Sequence, residues 1–161
     1  VKGAFDLVIR NAPLEDSGLI ATRLADDQRL LVASPDYIAR FGTPTSPAEL
    51  ETHRFVGFPG DSQLTFQDGA EIKIAPATIV NDGEAMRTLL EGGAGIGVKS
   101  LWNANRGLQS GTLVQVLPDC PLLTRSAIWA VHPSGRIVAP KVRVMIQFLR
   151  DAFSPQPPWA A

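Results

Sequence analysis

The chain has one cysteine among its 161 residues, Cys120, so this thiol has no partner for an internal disulfide. A lone thiol is consistent with a reducing compartment, where structural disulfides are rare. Cys120 lies in a turn-like stretch at residues 117–121, and no histidine or lysine stands next to it to activate a thiolate. We therefore expect a structural role for this side chain and no thiol chemistry.

Long apolar runs are also absent from the chain. No run reaches the roughly 20 residues that a membrane-spanning helix needs, and the first residues lack the apolar core of a signal peptide. The formal net charge of −1 gives no general attraction to nucleic acid or to anionic lipid. With 45% apolar residues, the chain is expected to form one soluble domain or two small lobes in the cytoplasm.

Patterns typical of catalytic or metal sites are missing as well. His53 and His132 are far apart and do not stand in a metal-ligand spacing. The glycine cluster at residues 92–97 precedes a strand pattern instead of opening a helix, so it is not a dinucleotide-binding motif. Three serines resemble helix caps more than nucleophiles, since none stands in a Gly-x-Ser-x-Gly turn: Ser34, Ser46 and Ser100. We expect no enzyme active site, no metal and no cofactor.

Short apolar runs bounded by turn residues predict strands at residues 5–9, 29–33, 54–58, 78–80, 95–98, 113–117 and 126–131. Residues 64–66 and 71–74 predict a hairpin, because Asp68-Gly69 suits a tight turn. Caps and amphipathic patterns predict helices at residues 35–40, 47–50, 83–91, 100–109 and from Pro140 onward. This alternation predicts an α/β fold with mainly parallel strands and a local antiparallel portion.

The segment Asn81-Asp82-Gly83 is a polar helix start that suits ligand binding. A helix N-terminus carries about half a positive charge and free N–H groups, which favours an anion such as a carboxylate. Asp82 opposes an anion, because its carboxylate is predicted to cap the same helix end. Gly83 lets a ligand approach the backbone closely. The segment indicates a binding site and leaves the charge of the ligand open.

Four segments, taken in order, resemble the LysR-type transcriptional regulators, in particular their C-terminal effector-binding region. They are Phe5-Asp6-Leu7-Val8-Ile9-Arg10, Leu31-Val32-Ala33-Ser34-Pro35-Asp36-Tyr37-Ile38, Asn81-Asp82-Gly83 and Gly95-Ile96-Gly97. Each is weak alone, but their order and spacing match the family across residues 3–153. The resemblance implies a periplasmic-binding-protein-like fold of type 2, with two α/β lobes and a small-molecule cleft between them.

The same resemblance implies how the chain divides into lobes. Residues 1–24 and 94–153 are expected to form the first lobe, residues 25–93 the second, and residues 154–161 a flexible tail. The family pattern starts upstream of Phe5, so the chain is expected to be a C-terminal piece with a complete second lobe and a partial first lobe. A partial lobe should expose apolar surface on the strand at residues 5–9.

In the family, the loops that follow the strands face the effector, and ligands of α/β sheets sit beyond the carboxyl ends of strands. Mapped on this chain, Arg10 and Asn11 follow one strand, while Asn81, Asp82 and Gly83 follow another. Phe58 adds an apolar contact, which completes the set of candidate effector-binding residues. Plainer interpretations stay open: Arg10 pairs with a carboxylate, Asn81 is a turn residue, and Phe58 belongs to the core.

The resemblance implies a regulator that senses a small molecule, for which a carboxylate is one candidate, and contacts DNA only through an N-terminal winged helix-turn-helix. It also implies a homodimer or homotetramer of the full-length protein, with no membrane partner. The alternative function is that of a solute-binding protein of a transporter, which would share the two-lobed fold. A secretory signal upstream would indicate the transporter, and a winged helix-turn-helix would indicate the regulator.

Overall fold

A computed structural model describes residues 5–12, 18–124, 126–134 and 138–160. The strands are β1 (Val8–Ala12), β2 (Leu19–Asp26), β3 (Arg29–Ala33), β4 (Phe55–Gly57), β5 (Gln63–Thr65), β6 (Glu71–Lys73), β7 (Pro76–Ile79), β8 (Gly97–Ser100), β9 (Val114–Val116) and β10 (Ala127–Pro133). The helices are α1 (Pro35–Phe41), α2 (Gly83–Glu91), α3 (Leu101–Ser110) and α4 (Pro140–Ala152), with a short 3₁₀ helix at Pro47–Thr52. No helix in these ranges is long and apolar enough to cross a bilayer.

The chain divides into two compact units. Unit 1 comprises Val1–Gln28 and Arg125–Ala161, and unit 2 comprises Arg29–Thr124. Residues 94–124, which were expected in the first lobe, belong to unit 2, because β8 and β9 both pair with β3. How the two units correspond to the lobes of the family stays a prediction.

Unit 1 is built on a three-stranded antiparallel sheet in the order β1-β10-β2. The central strand β10 is mostly buried, whereas Phe5 is 68% exposed and Ile9 is 49% exposed. Phe5 and Ile9 line an apolar groove of about 570 Å³ together with Val142 and Met145 of α4. The strand β2 was not predicted, because its apolar residues do not alternate regularly with polar ones.

Unit 2 contains an antiparallel sheet in the order β8-β3-β9, a parallel pair β4-β7 and the hairpin β5-β6. The hairpin around Asp68-Gly69 is confirmed, with Leu64 opposite Ile72. The prediction of mainly parallel strands is wrong. Among these strands, β4 is parallel to β7, and Phe55 of β4 also forms an isolated parallel bridge with Ile96. The other pairs are antiparallel. Local sequence patterns predict strands but not the direction in which distant strands pair.

The strand β3 supplies both cores of unit 2. Leu31 and Ala33 point into one cluster, and Leu30 and Val32 point into another, because successive side chains of a strand face opposite sides. The first core also contains Tyr37, Leu50, Phe55, Leu64, Phe66, Ile96, Val116, Leu117 and Leu122. The second also contains Val56, Met86, Leu90, Ala104 and Leu113. Thus α1, the 3₁₀ helix and the hairpin cover one face of β3, and α2 and α3 cover the other.

One of the three predicted serine caps is confirmed. Ser34 Oγ accepts a hydrogen bond from the Tyr37 amide at 3.2 Å, and Gly42, at φ 86°, ends α1. Ser46 and Ser100 precede helices, but within the described ranges neither side chain accepts a capping hydrogen bond from a helix amide. Ser46 Oγ instead donates to Glu49 Oε1 at 3.3 Å.

We predict that Gly95→Ala destabilises unit 2. An added Cβ would lie 2.5 Å from the carbonyl oxygen of Arg54, the same oxygen that accepts a hydrogen bond from the Ile96 amide at 2.8 Å. Separating the two segments should lower the free energy of unfolding by about 1–3 kcal/mol, measured by urea denaturation. The control is Gly83→Ala, whose Cβ would be 3.7 Å from its nearest neighbour atom. Equal stability of the two variants would contradict this packing.

Candidate functional site

The N-terminus of α2 is capped by its own sequence, as predicted. Asp82 Oδ1 accepts hydrogen bonds from the amides of Glu84 and Ala85, at 3.0 and 2.9 Å. This carboxylate therefore neutralises part of the positive helix end. Asn81, which precedes it, is exposed. The backbone of this segment can offer polar contacts, but its charge does not favour an anion.

A hydrogen bond joins Gly83 to a buried lysine that is not among the residues predicted from the sequence. Lys99 of β8 is 5% exposed, and its Nζ donates to the carbonyl oxygen of Gly83 at 2.7 Å. Burial lowers the pKa of Lys99 below its usual value, and the nearby Glu84 and Asp82 carboxylates oppose that shift. The sequence did contain a signal for this buried lysine, because it directly follows the apolar run that predicts a strand at residues 95–98. Lys99 ties the start of α2 to the central sheet of unit 2.

A polar network joins the exposed side of α2 to its neighbours. Arg87 pairs with Glu84 at 2.7 Å and with Glu91 at 3.0 Å, while Asn103 of α3 donates to Glu84 Oε1 at 3.0 Å. These hydrogen bonds, first from Arg87 and then from Asn103, lower the pKa of Glu84, and the pKa of Arg87 is raised by the same contact. Thr112 adds a hydrogen bond to Glu91 at 3.3 Å. The network orients α2 and leaves its charged groups paired.

Phe58 has a structural contact that supports the plainer interpretation. It is half-buried and packs against the core cluster that contains Leu30 and Val32. Its amide donates to Asp61 Oδ2 at 2.7 Å, which shapes the loop after β4. Phe58 therefore helps to hold unit 2 together, and any contact with an effector would be additional.

Arg10 and Asn11 lie inside β1, so the prediction of a loop at these positions is wrong. In the strand register, Arg10 lies opposite Trp129 of β10, and Asn11 lies opposite Ile128. Adjacent strand residues face opposite sides of a sheet, so the two side chains do not converge. Arg10 is exposed and makes no hydrogen bond or ion pair with the residues that the structure describes. Its guanidinium group is available to an anion.

The six candidate residues are therefore divided between the units. Arg10 and Asn11 belong to unit 1, and Phe58 belongs to unit 2 with Asn81, Asp82 and Gly83. Within unit 2, hydrogen bonds place Asp82 at the start of α2 and join Gly83 to β8.

Unit 2 also contains a polar cavity that the sequence did not predict. Its volume is about 210 Å³, and it lies beside the hairpin β5-β6. Polar and apolar side chains line it together: Arg29, Asp61, Gln63, Leu64, Thr65, Ile74, Val98, Leu122 and Leu123. These residues come from distant parts of the chain, so no local pattern signals the cavity.

The histidines take part in local contacts of their own units. His53 Nδ1 lies 3.1 Å from the hydroxyl of Tyr37, which also accepts a hydrogen bond from the Arg54 amide. His132 is buried in β10. Across the described ranges, no group of three or more His, Cys, Asp or Glu side chains is placed to hold a metal ion.

Comparison with known proteins decides the family, since residues 1–154 match the LysR substrate binding domain. The chain belongs to this family. It is 32% identical over 149 residues to the transcriptional regulator CrgA of Neisseria meningitidis serogroup C, covering 89% of this chain and 50% of CrgA. It is 33% identical to the Escherichia coli regulator DmlR, covering 96% of this chain and 52% of DmlR. The chain thus spans about half the length of the curated relatives it matches.

Solved structures of LysR-type regulators have the same fold. The CrgA regulatory domain matches with a TM-score of 0.79 at 31% identity, over 91% of this chain and 74% of that one. Full-length AphB of Vibrio cholerae matches with a TM-score of 0.76 at 28% identity, over 90% of this chain and 51% of that one. These matches confirm the predicted family and its periplasmic-binding-protein-like fold of type 2. The matched relatives are transcriptional regulators, and none of these matches supports the transporter alternative.

We predict that Lys99 makes the stability of this LysR domain depend on alkaline pH. Because burial lowers the pKa of Lys99 in the folded state, the unfolded chain binds more protons between that pKa and the usual 10.5. Stability should therefore rise with pH through this window. Lys99→Met should remove this rise, as seen by urea denaturation from about pH 7 to about pH 10.

The control is Lys73→Met, which removes an exposed lysine of the same unit. Its stability should follow the wild-type pH dependence. If the free energy of unfolding changes with pH in the same way for the wild type and for Lys99→Met, burial does not change the protonation of Lys99.

Proposed function

We propose that this LysR domain senses a small molecule for a DNA-binding transcriptional regulator. The observation that carries the proposal is the exposed guanidinium of Arg10, which has no partner among the described residues. The relatives of the domain, which are transcriptional regulators, support the regulatory part. An arginine at such a position suits a planar anion, because its fork of N–H donors matches a carboxylate.

The candidate effector-binding residues of the proposal are Arg10 and Asn11 in unit 1, and Phe58, Asn81, Asp82 and Gly83 in unit 2. In unit 1, Arg10 supplies a positive charge. In unit 2, the backbone around Gly83 supplies neutral polar contacts next to α2. Asp82 contributes through its capping role, since its Oδ1 is engaged by two amides. Phe58 contributes an apolar edge while it packs on the core of unit 2. The proposed effector is a small carboxylate that is bound chiefly through Arg10.

The proposed regulator contacts DNA through an N-terminal winged helix-turn-helix and acts in the cytoplasm as a homodimer or homotetramer. The relatives support the DNA-binding part, since they are HTH-type transcriptional regulators. The apolar groove of unit 1 supports contacts with further protein surface, because contiguous exposed apolar patches commonly mark interfaces. The chain catalyses no reaction in this proposal, and the effector acts by shifting the arrangement of the subunits.

We predict that a small carboxylate changes the affinity of the full-length protein for its promoter DNA. A coupling between effector and DNA sites is typically about 1–3 kcal/mol, which changes the DNA dissociation constant about 5-fold to 150-fold. Fluorescence anisotropy with labelled promoter DNA, titrated with a panel of carboxylates, measures this change. Arg10→Ala should abolish the response and leave the DNA affinity without effector unchanged.

The matched control is Arg143→Ala, which removes an exposed arginine of α4 in the same unit. It should respond to carboxylates as the wild type does. If no carboxylate changes DNA binding by the wild-type protein, the sensing function is refuted. If Arg10→Ala responds normally, Arg10 does not bind the effector.

A further inference from the structure

Strand pairing in unit 1 places an indole ring between two arginines. Trp129 of β10 lies opposite Arg10 of β1 on one side and opposite Arg23 of β2 on the other. Directly opposite residues of antiparallel strands point to the same face of a sheet. Ile9 faces the other way, because it precedes Arg10, and it lines the apolar groove against α4. The row Arg10–Trp129–Arg23 therefore occupies the sheet face away from that groove.

The charges in this row leave one cation free. Arg23 forms an ion pair with the carboxylate of Asp26. Arg10 has no such partner among the described residues. The row as a whole therefore carries one uncompensated positive charge, at the end where Arg10 stands beside Trp129.

The indole of Trp129 carries a hydrogen-bond donor without an acceptor. Its Nε1 is buried, and no described residue accepts a hydrogen bond from it. Buried donors are nearly always satisfied in folded proteins, so an acceptor from water or from a ligand is expected for this one. The free guanidinium of Arg10, on the residue directly opposite, favours an anionic ligand.

We propose that Trp129 is a further effector-binding residue, which acts with Arg10 to select a small carboxylate that bears a second oxygen next to the carboxyl group. The carboxylate takes the paired N–H donors of Arg10, and the second oxygen, a hydroxyl, accepts the hydrogen bond of Trp129 Nε1. Directly opposite side chains start about 5 Å apart, and the hydroxyl oxygen of a 2-hydroxy acid lies about 3 Å from its carboxylate oxygens, so one small molecule can contact donors on both side chains. This inference rests on the proposed function, because it deepens the role given to Arg10.

The test compares acids that differ by the hydroxyl group alone. Lactate is compared with propionate, and salicylate with benzoate, by calorimetric titration of the full-length protein. The wild type should bind the hydroxylated member of at least one pair more tightly. Trp129→Phe should weaken that member about 5-fold to 10-fold, the loss expected for one hydrogen bond, and should weaken the plain acid less than about 2-fold. Arg10→Gln should weaken both members.

Trp102→Phe is the matched control, since Trp102 is 43% exposed on α3 of unit 2. It should leave both affinities unchanged. A second readout avoids the effects of misfolding: in wild-type protein labelled with 5-fluorotryptophan, the Trp129 fluorine signal should shift with the hydroxy acid more than with the plain acid.

The inference is overturned if Trp129→Phe weakens both members of a pair equally, or if the Trp129 signal does not distinguish them. It is also overturned if no acid of either pair binds with a dissociation constant below about 10 mM. Failure of the sensing function looks different: the binding pattern is then as expected, but no acid changes DNA affinity. Conversely, if the acid changes the DNA affinity of Trp129→Phe as much as that of the wild type, the proposed role of Trp129 is refuted. That result leaves the sensing function standing.

Discussion

The burial of both faces of β3 is the constraint on which unit 2 depends. Leu31 and Ala33 are sealed on one side, and Leu30 and Val32 on the other, so this one strand anchors two separate cores. Strands buried on both faces are nearly continuous apolar runs, and this pattern is clear in the sequence of β3. Every helix of unit 2 is positioned by packing on one of these cores. The polar start of α2 is therefore held by a rigid support.

The two units contribute different chemistry. In unit 2, the ammonium of Lys99 and the carboxylate of Asp82 are both used to fix the first turn of α2, so the charges there serve the structure. In unit 1, the guanidinium of Arg10 is bound to no described residue, and the indole N–H of Trp129 beside it is likewise unsatisfied. The exposed guanidinium of Arg10 is open to a ligand, whereas the paired groups of unit 2 are not. The assignment of effector charge therefore depends on the sheet of unit 1.

Local features of the fold could be predicted from the sequence, and non-local features could not. The cap at Ser34 and the hairpin turn at Asp68-Gly69 follow from the preferences of adjacent residues. The antiparallel pairing of β3 with β8 and β9 depends on contacts between residues far apart in sequence. For the same reason the sequence indicated Arg10 but not Trp129, since only the register of β1 and β10 brings them together.

The most direct test of this account is a crystal structure of the full-length protein with lactate or salicylate bound. The account predicts the carboxylate within about 3 Å of the Arg10 guanidinium, and the hydroxyl oxygen within about 3 Å of Trp129 Nε1. A ligand that binds in the cavity lined by Arg29 and Asp61, and touches neither Arg10 nor Trp129, would contradict it.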